Sequence, residues 1–172
     1  VGLNRLFGLN QLERSLLHLS QRAEHRYAGV LCGIMDQFAT MMGRVGQAIL
    51  LDCRSLDYEY VPLELGDYAL VLCDTNVSHS LAASEYNTRR RECEEAVQLL
   101  QPALPGIRAL RDLTSVGLKA ERHRLPPILY RRARHVVTEN ERVHLAAAAL
   151  RGGRVQELGE LLYRSHRSLQ HD

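Results

Sequence analysis

Residues 33–38 read GIMDQF, with a carboxylate three positions after a glycine and at a point where a helix can begin. Backbone next to glycine can approach a ligand closely, and the unsatisfied amides of a helix N-terminus attract polar or anionic groups. Asp36 is thereby placed either to meet a ligand hydroxyl or merely to cap its helix. A second concentration of polar groups follows an apolar run in the stretch CDTNVSHSLAASEYNTRRRECEE, residues 73–95, which holds Asp74, Asn76, His79, Ser80, Ser84 and Tyr86. Such strand-to-helix passages often bear ligand contacts. The plainer alternative is a loop with an N-cap at Ser80 or Ser84, and Tyr86 in the core on the stripe it shares with Cys93 and Val97.

Other residue clusters point away from chemistry. Arg89, Arg90 and Arg91 are interleaved with Glu85, Glu92, Glu94 and Glu95, and neither they nor Arg131, Arg132 and Arg134 carry interspersed aromatics. A solvated face with i,i+4 ion pairs is expected, not a nucleic-acid surface. The histidines are scattered, without an i,i+4 pair that would hold a metal. Cys32, Cys53, Cys73 and Cys93 stand about twenty residues apart with no C-x-x-C pair, which predicts buried thiols, not a disulfide or zinc framework. Neither G-x-x-x-x-G-K-[ST] nor G-x-G-x-x-G occurs, so the chain contains no recognisable phosphate cradle and any nucleotide loop is expected to lie elsewhere.

The elements that must position these residues follow from periodicity. Leu12, Leu16, Leu19 and Ala23 predict an amphipathic helix from Leu12 to about Tyr27. The small-residue stretch from Ala28 to Gly33 breaks it, and Ile34 to Phe38 reads as the start of the next helix. Residues 47–53, 58–63 and 68–73 are short β-rich runs, two of them expected as a hairpin and the nearly all-apolar third as a strand covered on both faces. Beyond Leu81 helices dominate. One carries Tyr86, Cys93, Val97 and Leu100; a long one after Pro126-Pro127 carries Leu129, Ala133, Val136, Val137, Val143, Ala147 and Leu150 and stops at Gly152-Gly153; a last carries Val155, Leu158, Leu161 and Leu162.

The 172 residues are 45% hydrophobic and 24% charged, with 22 Lys and Arg against 20 Asp and Glu. That is the balance of a soluble globular protein with no field that would draw nucleic acid or a membrane, while the mixture of β-rich and helical runs predicts a mixed α+β layer. No basic-then-apolar leader and no run of about 20 apolar residues is present, which predicts a cytoplasmic protein. With no initiator methionine at the start and no terminating signal at the end, the chain is expected to be a piece of a longer one.

The segments AEHRYAGVLCGIMDQFATMMG, ILLDCRSLDYEYVPL, NVSHSLAASEYNTRRRECEEA, RRARHVV and SHRSL resemble, in order and spacing, those of galactokinases, the sugar kinases of the GHMP superfamily. GIMDQF is shared loosely with related sugar kinases, whereas DCRSL and HSLAASEYNTRRRECE are more particular to galactokinases. The resemblance implies a GHMP-kinase-like α+β fold. Residues 1–63 would be the end of the N-terminal domain and residues 64–172 the start of a ferredoxin-like C-terminal domain, with the active site between them. It further implies Mg²⁺-assisted transfer of the γ-phosphate of ATP to the C1 hydroxyl of galactose. By that resemblance Asp36 matches the catalytic aspartate facing this hydroxyl, Gly33 a backbone contact to galactose, and Tyr86 a sugar-binding tyrosine.

Departures from the family pattern shape the expectation. The upstream sugar-binding motif with its arginine and Glu-His-x-Asp group, the phosphate loop and a glycine-rich segment near the C-terminus are absent from this chain. Ser78 stands where galactokinases often have Lys or Arg. The 172 residues alone are therefore expected to be inactive and, with apolar faces uncovered, poorly soluble. Alternatives are a kinase for N-acetylgalactosamine or arabinose, or a galactokinase-like sugar and ATP sensor without turnover.

Overall fold

The computed structural model describes residues 2–74, 76 and 82–172, with 82–84 described by their backbone. They divide into two compact units, Val1–Glu64 with Ala69–Asn87, and Leu65–Tyr68 with Thr88–Asp172. In chain order the helices are α1 (Gly2–Leu6), α2 (Glu13–Ala23), α3 (Met35–Met42), α4 (Ala82–Leu100), α5 (Ser115–Ala120), α6 (Pro127–Arg151) and α7 (Val155–His171), with strands β1 (Gln47–Leu51) and β2 (Tyr58–Pro62) between α3 and α4.

In the first unit, β1 and β2 pair antiparallel from Gln47 opposite Pro62 to Leu51 opposite Tyr58. The DCRSLD connection is shaped by Asp52, whose Oδ1 accepts the amides of Arg54 at 2.7 Å and Ser55 at 3.2 Å, while its carbonyl accepts that of Leu56. This is the local side-chain-to-backbone bonding by which aspartate makes turns. Leu56, at φ 65°, takes a left-handed conformation and packs its side chain against the buried cluster of Leu17, Ile34 and Phe38. Phe38 also meets Tyr58 edge-on at 5.1 Å, so the hairpin and α3 share one core.

The second unit is helical. Ala96, Val97 and Leu100 of α4 pack with Ile107, Leu110, Leu118, Leu125 and the α6 residues Leu129, Ala133 and Val137. Pro127 opens α6, as proline at a first turn should, and Gly152-Gly153 close it, Gly153 at φ 65°. The first half of α6 packs against the second half of α7: Ser165 Oγ donates to Glu139 Oε2 at 2.7 Å and Arg134 bonds Asp172. The short α5 is capped by Thr114, whose Oγ1 accepts the Gly117 amide at 3.1 Å. Thr114→Ala is expected to cost about 1 kcal/mol and Thr114→Ser much less, as read from the unfolding midpoints of the two variants.

Several expectations are corrected. Residues 68–73 form no strand, and Leu72 is 99% exposed; a strand exists only by pairing, and among the described residues the one sheet pairs β1 with β2 alone. On α2 the buried residue is Leu17, while Leu12 and Leu19 are exposed, because the elements packed on this helix, α3 and the hairpin loop, cover the Leu17 side. Val143 on α6 is likewise exposed. No disulfide forms among the described residues, but the cysteines are not buried: Cys53 and Cys73 are exposed, Cys32 and Cys93 half-buried. Burial, aided by the charge of Glu92, pushes the Cys93 thiol up, away from the reactive thiolate.

Candidate functional site

The first unit holds all three residues singled out for sugar chemistry. Asp36 is the second residue of α3. Ile34 and Phe38, one turn apart, are both buried in the core; a residue two positions from each lies on the opposite side of the helix, so Asp36 must face outward. It is exposed, and its carboxylate makes no hydrogen bond among the described residues, its anchorage being the backbone carbonyl that accepts Thr40 Oγ1 at 2.8 Å. The capping position belongs to Ile34, which has no side-chain cap bond. Asp36 therefore does not serve as the helix cap, and its charge sits beside the amide end of the dipole with its oxygens available.

Gly33 lies just ahead. A Cβ built there would meet nothing within 4 Å, and its backbone does not occupy the left-handed region. The protein's own packing thus does not demand glycine at this position; what the missing side chain leaves is open access to the peptide. Gly29 differs, since φ 70° after an irregular helical turn at Glu24–Ala28 calls for glycine.

Tyr86 is 45% exposed and lies outside the buried cluster that holds Val97 and Leu100, so the core reading of this tyrosine fails. The next residue, Asn87, reaches the loop before α3: its Nδ2 donates to the Gly29 carbonyl at 2.9 Å and its Oδ1 accepts the Leu31 amide at 3.0 Å. These two bonds bring the Tyr86 turn of α4 to the glycine-bearing loop that delivers Gly33 and Asp36. On the other side of that loop, the Cys32 carbonyl accepts Gln21 Nε2 at 3.2 Å and lies 2.9 Å from His25 Nε2. Asn87, Gln21 and His25 escaped the sequence reading; the only trace of Asn87 was its place beside Tyr86 in the SEYN motif.

Of the remaining polar candidates only Asp74 and Asn76 are described. Asp74 Oδ1 accepts the Asn76 amide at 2.9 Å in a local turn. Ser78, His79 and Ser80, and the side chain of Ser84, lie outside the described residues. Arg90 pairs with Glu94 at 3.0 Å one turn on, as expected of a solvated face, and Arg132 pairs with Glu92 at 2.7 Å to tie α6 to α4. A cavity of about 620 Å³ in the helical unit is lined by Lys119, Arg122, Tyr130, Arg131 and Arg134 and includes none of the three sugar-site candidates. No three His, Cys, Asp or Glu side chains among the described residues gather as a metal cage, and no helix among them is long and apolar enough to cross a membrane.

Residues 1–44 match the family of GHMP kinases, N terminal domain. The chain is 50% identical over 164 residues to a galactokinase of Chloroflexus aggregans, covering 95% of this chain and 42% of that protein. It is 49% identical over 170 residues to a galactokinase of Roseiflexus sp., covering 99% and 42% respectively. Among solved structures, Lactococcus lactis galactokinase complexed with galactose superimposes with a TM-score of 0.93 at 42% identity, over all of this chain and 44% of that one. The chain thus spans less than half the length of the relatives it matches, and over that span its sequence and its α+β fold are similar to those of galactokinases, with residues 1–44 similar to the N-terminal domain of GHMP kinases.

Proposed function

We propose that this chain is part of an ATP-dependent kinase that phosphorylates the C1 hydroxyl of galactose, in the cytoplasm and within galactose metabolism. The observation that carries this reading is the exposed, unbonded carboxylate of Asp36 on the first turn of α3, beside the open backbone of Gly33. Similarity to galactokinases over nearly the whole chain supports it. The match of residues 1–44 to a GHMP N-terminal domain supports reading residues 1–63 as the end of that domain and 64–172 as the start of the next.

Phosphoryl transfer asks for positioning and charge stabilisation more than for covalent chemistry. In this reading Asp36 accepts a hydrogen bond from the C1 hydroxyl and orients it for attack on the γ-phosphorus of ATP, taking up its proton as the new O–P bond forms and the bond from the γ-phosphorus to the β–γ bridging oxygen breaks to release ADP. The Gly33 peptide contacts the sugar where a side chain would obstruct it, and Tyr86 holds it from the start of α4. Mg²⁺, held mainly by the nucleotide phosphates and water with one or two side chains, would offset the phosphate charge.

Incubating the complete polypeptide with Mg·ATP and, in parallel, galactose, N-acetylgalactosamine or arabinose tests the proposal. Galactose 1-phosphate is the expected product, and Tyr86→Phe should lower kcat/KM for the sugar by about tenfold, the worth of one hydrogen bond to substrate. Preference for another sugar would reassign the substrate. Binding without any phosphorylated product would replace the kinase with a sensor.

A further inference from the structure

We infer that Asn87 is a positioning residue for the sugar site, its amide clamping the Gly29–Leu31 backbone and thereby setting where Gly33 and Asp36 meet a hydroxyl. The inference rests on the kinase reading above. Asn87 is half-buried and uses its two ends differently, one as donor to a carbonyl and the other as acceptor from an amide. Only one orientation of the side-chain amide satisfies both bonds, so the contact is directional.

The segment it holds needs holding. Glu24–Ala28 leave the α-helical hydrogen-bond pattern and Gly29 ends that turn in the left-handed conformation at φ 70°, so regular secondary structure does not fix residues 29–33. Side chains do so instead. Gln21 and His25 fix the Cys32 carbonyl from the α2 side, and Asn87 fixes Gly29 and Leu31 from α4. Beyond them, buried Ile34 and Phe38 lock α3 onto the core. Asn87 is also the residue after Tyr86, so one side chain ties the turn bearing the tyrosine to the loop leading to the aspartate. A shift of about 1 Å in such a framework is enough to cost on the order of 10²-fold in rate.

The test compares Asn87→Ala, Asn87→Asp and Asn87→Gln in the complete polypeptide. Asn87→Asp keeps the acceptor for the Leu31 amide but turns a carboxylate oxygen toward the Gly29 carbonyl, whereas Asn87→Gln keeps both functions on a longer arm. Asn87→Ala should lower kcat/KM for the sugar by about 10- to 100-fold while KM for ATP stays within about twofold. Asn87→Asp should be equally impaired, Asn87→Gln should recover part of the loss, and amide exchange at Leu31 and Gly33 should accelerate in Asn87→Ala. Wild-type kinetics and exchange in Asn87→Ala would overturn the inference. So would a fall in unfolding midpoint with both KM values disturbed and no recovery by Gln, which marks a role in folding alone. If the wild type phosphorylates no sugar, the kinase reading fails by itself; the clamp is then judged by amide exchange, and unchanged exchange defeats it.

Discussion

Asp36→Asn in the complete polypeptide is expected to lower kcat for sugar phosphorylation by roughly 10²–10⁴, the usual worth of general-base assistance. The substitution preserves size and still offers an oxygen to the hydroxyl, but removes the charge and the proton acceptor. Because that loss is felt as the hydroxyl gives up its proton, it should appear in kcat, with KM for the sugar changing little. The fold should survive. Asp36 is exposed, makes no side-chain hydrogen bond among the described residues and does not cap α3, whose attachment to the core runs through Ile34 and Phe38. Helical circular dichroism and the thermal midpoint should therefore stay close to wild type while turnover collapses. An unchanged kcat would withdraw the catalytic assignment, and a collapse of both signals would show that the aspartate serves the fold.

The largest expected effect on stability lies in the second unit. Leu100, at 0% exposure, sits at the end of α4 among Val97, Ile107, Leu110 and Leu129. Leu100→Ala removes buried methyl groups and leaves a cavity that surrounding helices can fill only in part, so a loss of about 2–5 kcal/mol is expected. Urea unfolding followed by helical circular dichroism measures it. Val116→Ala on the exposed face of α5, where Val116 is 78% exposed, serves as the control and should stay within about 0.5 kcal/mol of wild type. A loss below about 1 kcal/mol for Leu100→Ala would mean that the cluster around it is looser than the packing described here.

The contrast between these two residues reflects what can be read along a chain. Leu100 and Val97 were legible as core because they recur at helical spacing, and both are buried. Tyr86 shares that stripe and is not buried, because a periodic face says which residues point the same way, not how far along the helix a neighbour covers them. The same limit explains α2, where Leu12 and Leu19 obey the amphipathic pattern yet stay exposed while Leu17 is buried. Residues 68–73 have every compositional mark of a strand and form none, since β-structure is a property of a pair. Asp36 was legible as a residue near a helix start, but its outward aim depends on Ile34 and Phe38 finding the hairpin core.

What the sequence determined unaided is local or inherited. The start of α3, the close of α6 at Gly152-Gly153, the Arg90–Glu94 pairing and the order of segments typical of galactokinases all follow from residues a few positions apart or from motif content. Only the tertiary structure decided that Asn87 grips Gly29, 58 residues earlier, and that the Tyr86 turn therefore adjoins the loop leading to Asp36. Helical and strand periodicities describe neighbours within about a turn. A hydrogen bond between distant side chain and backbone has no period, and is settled only when packing has brought its two ends together.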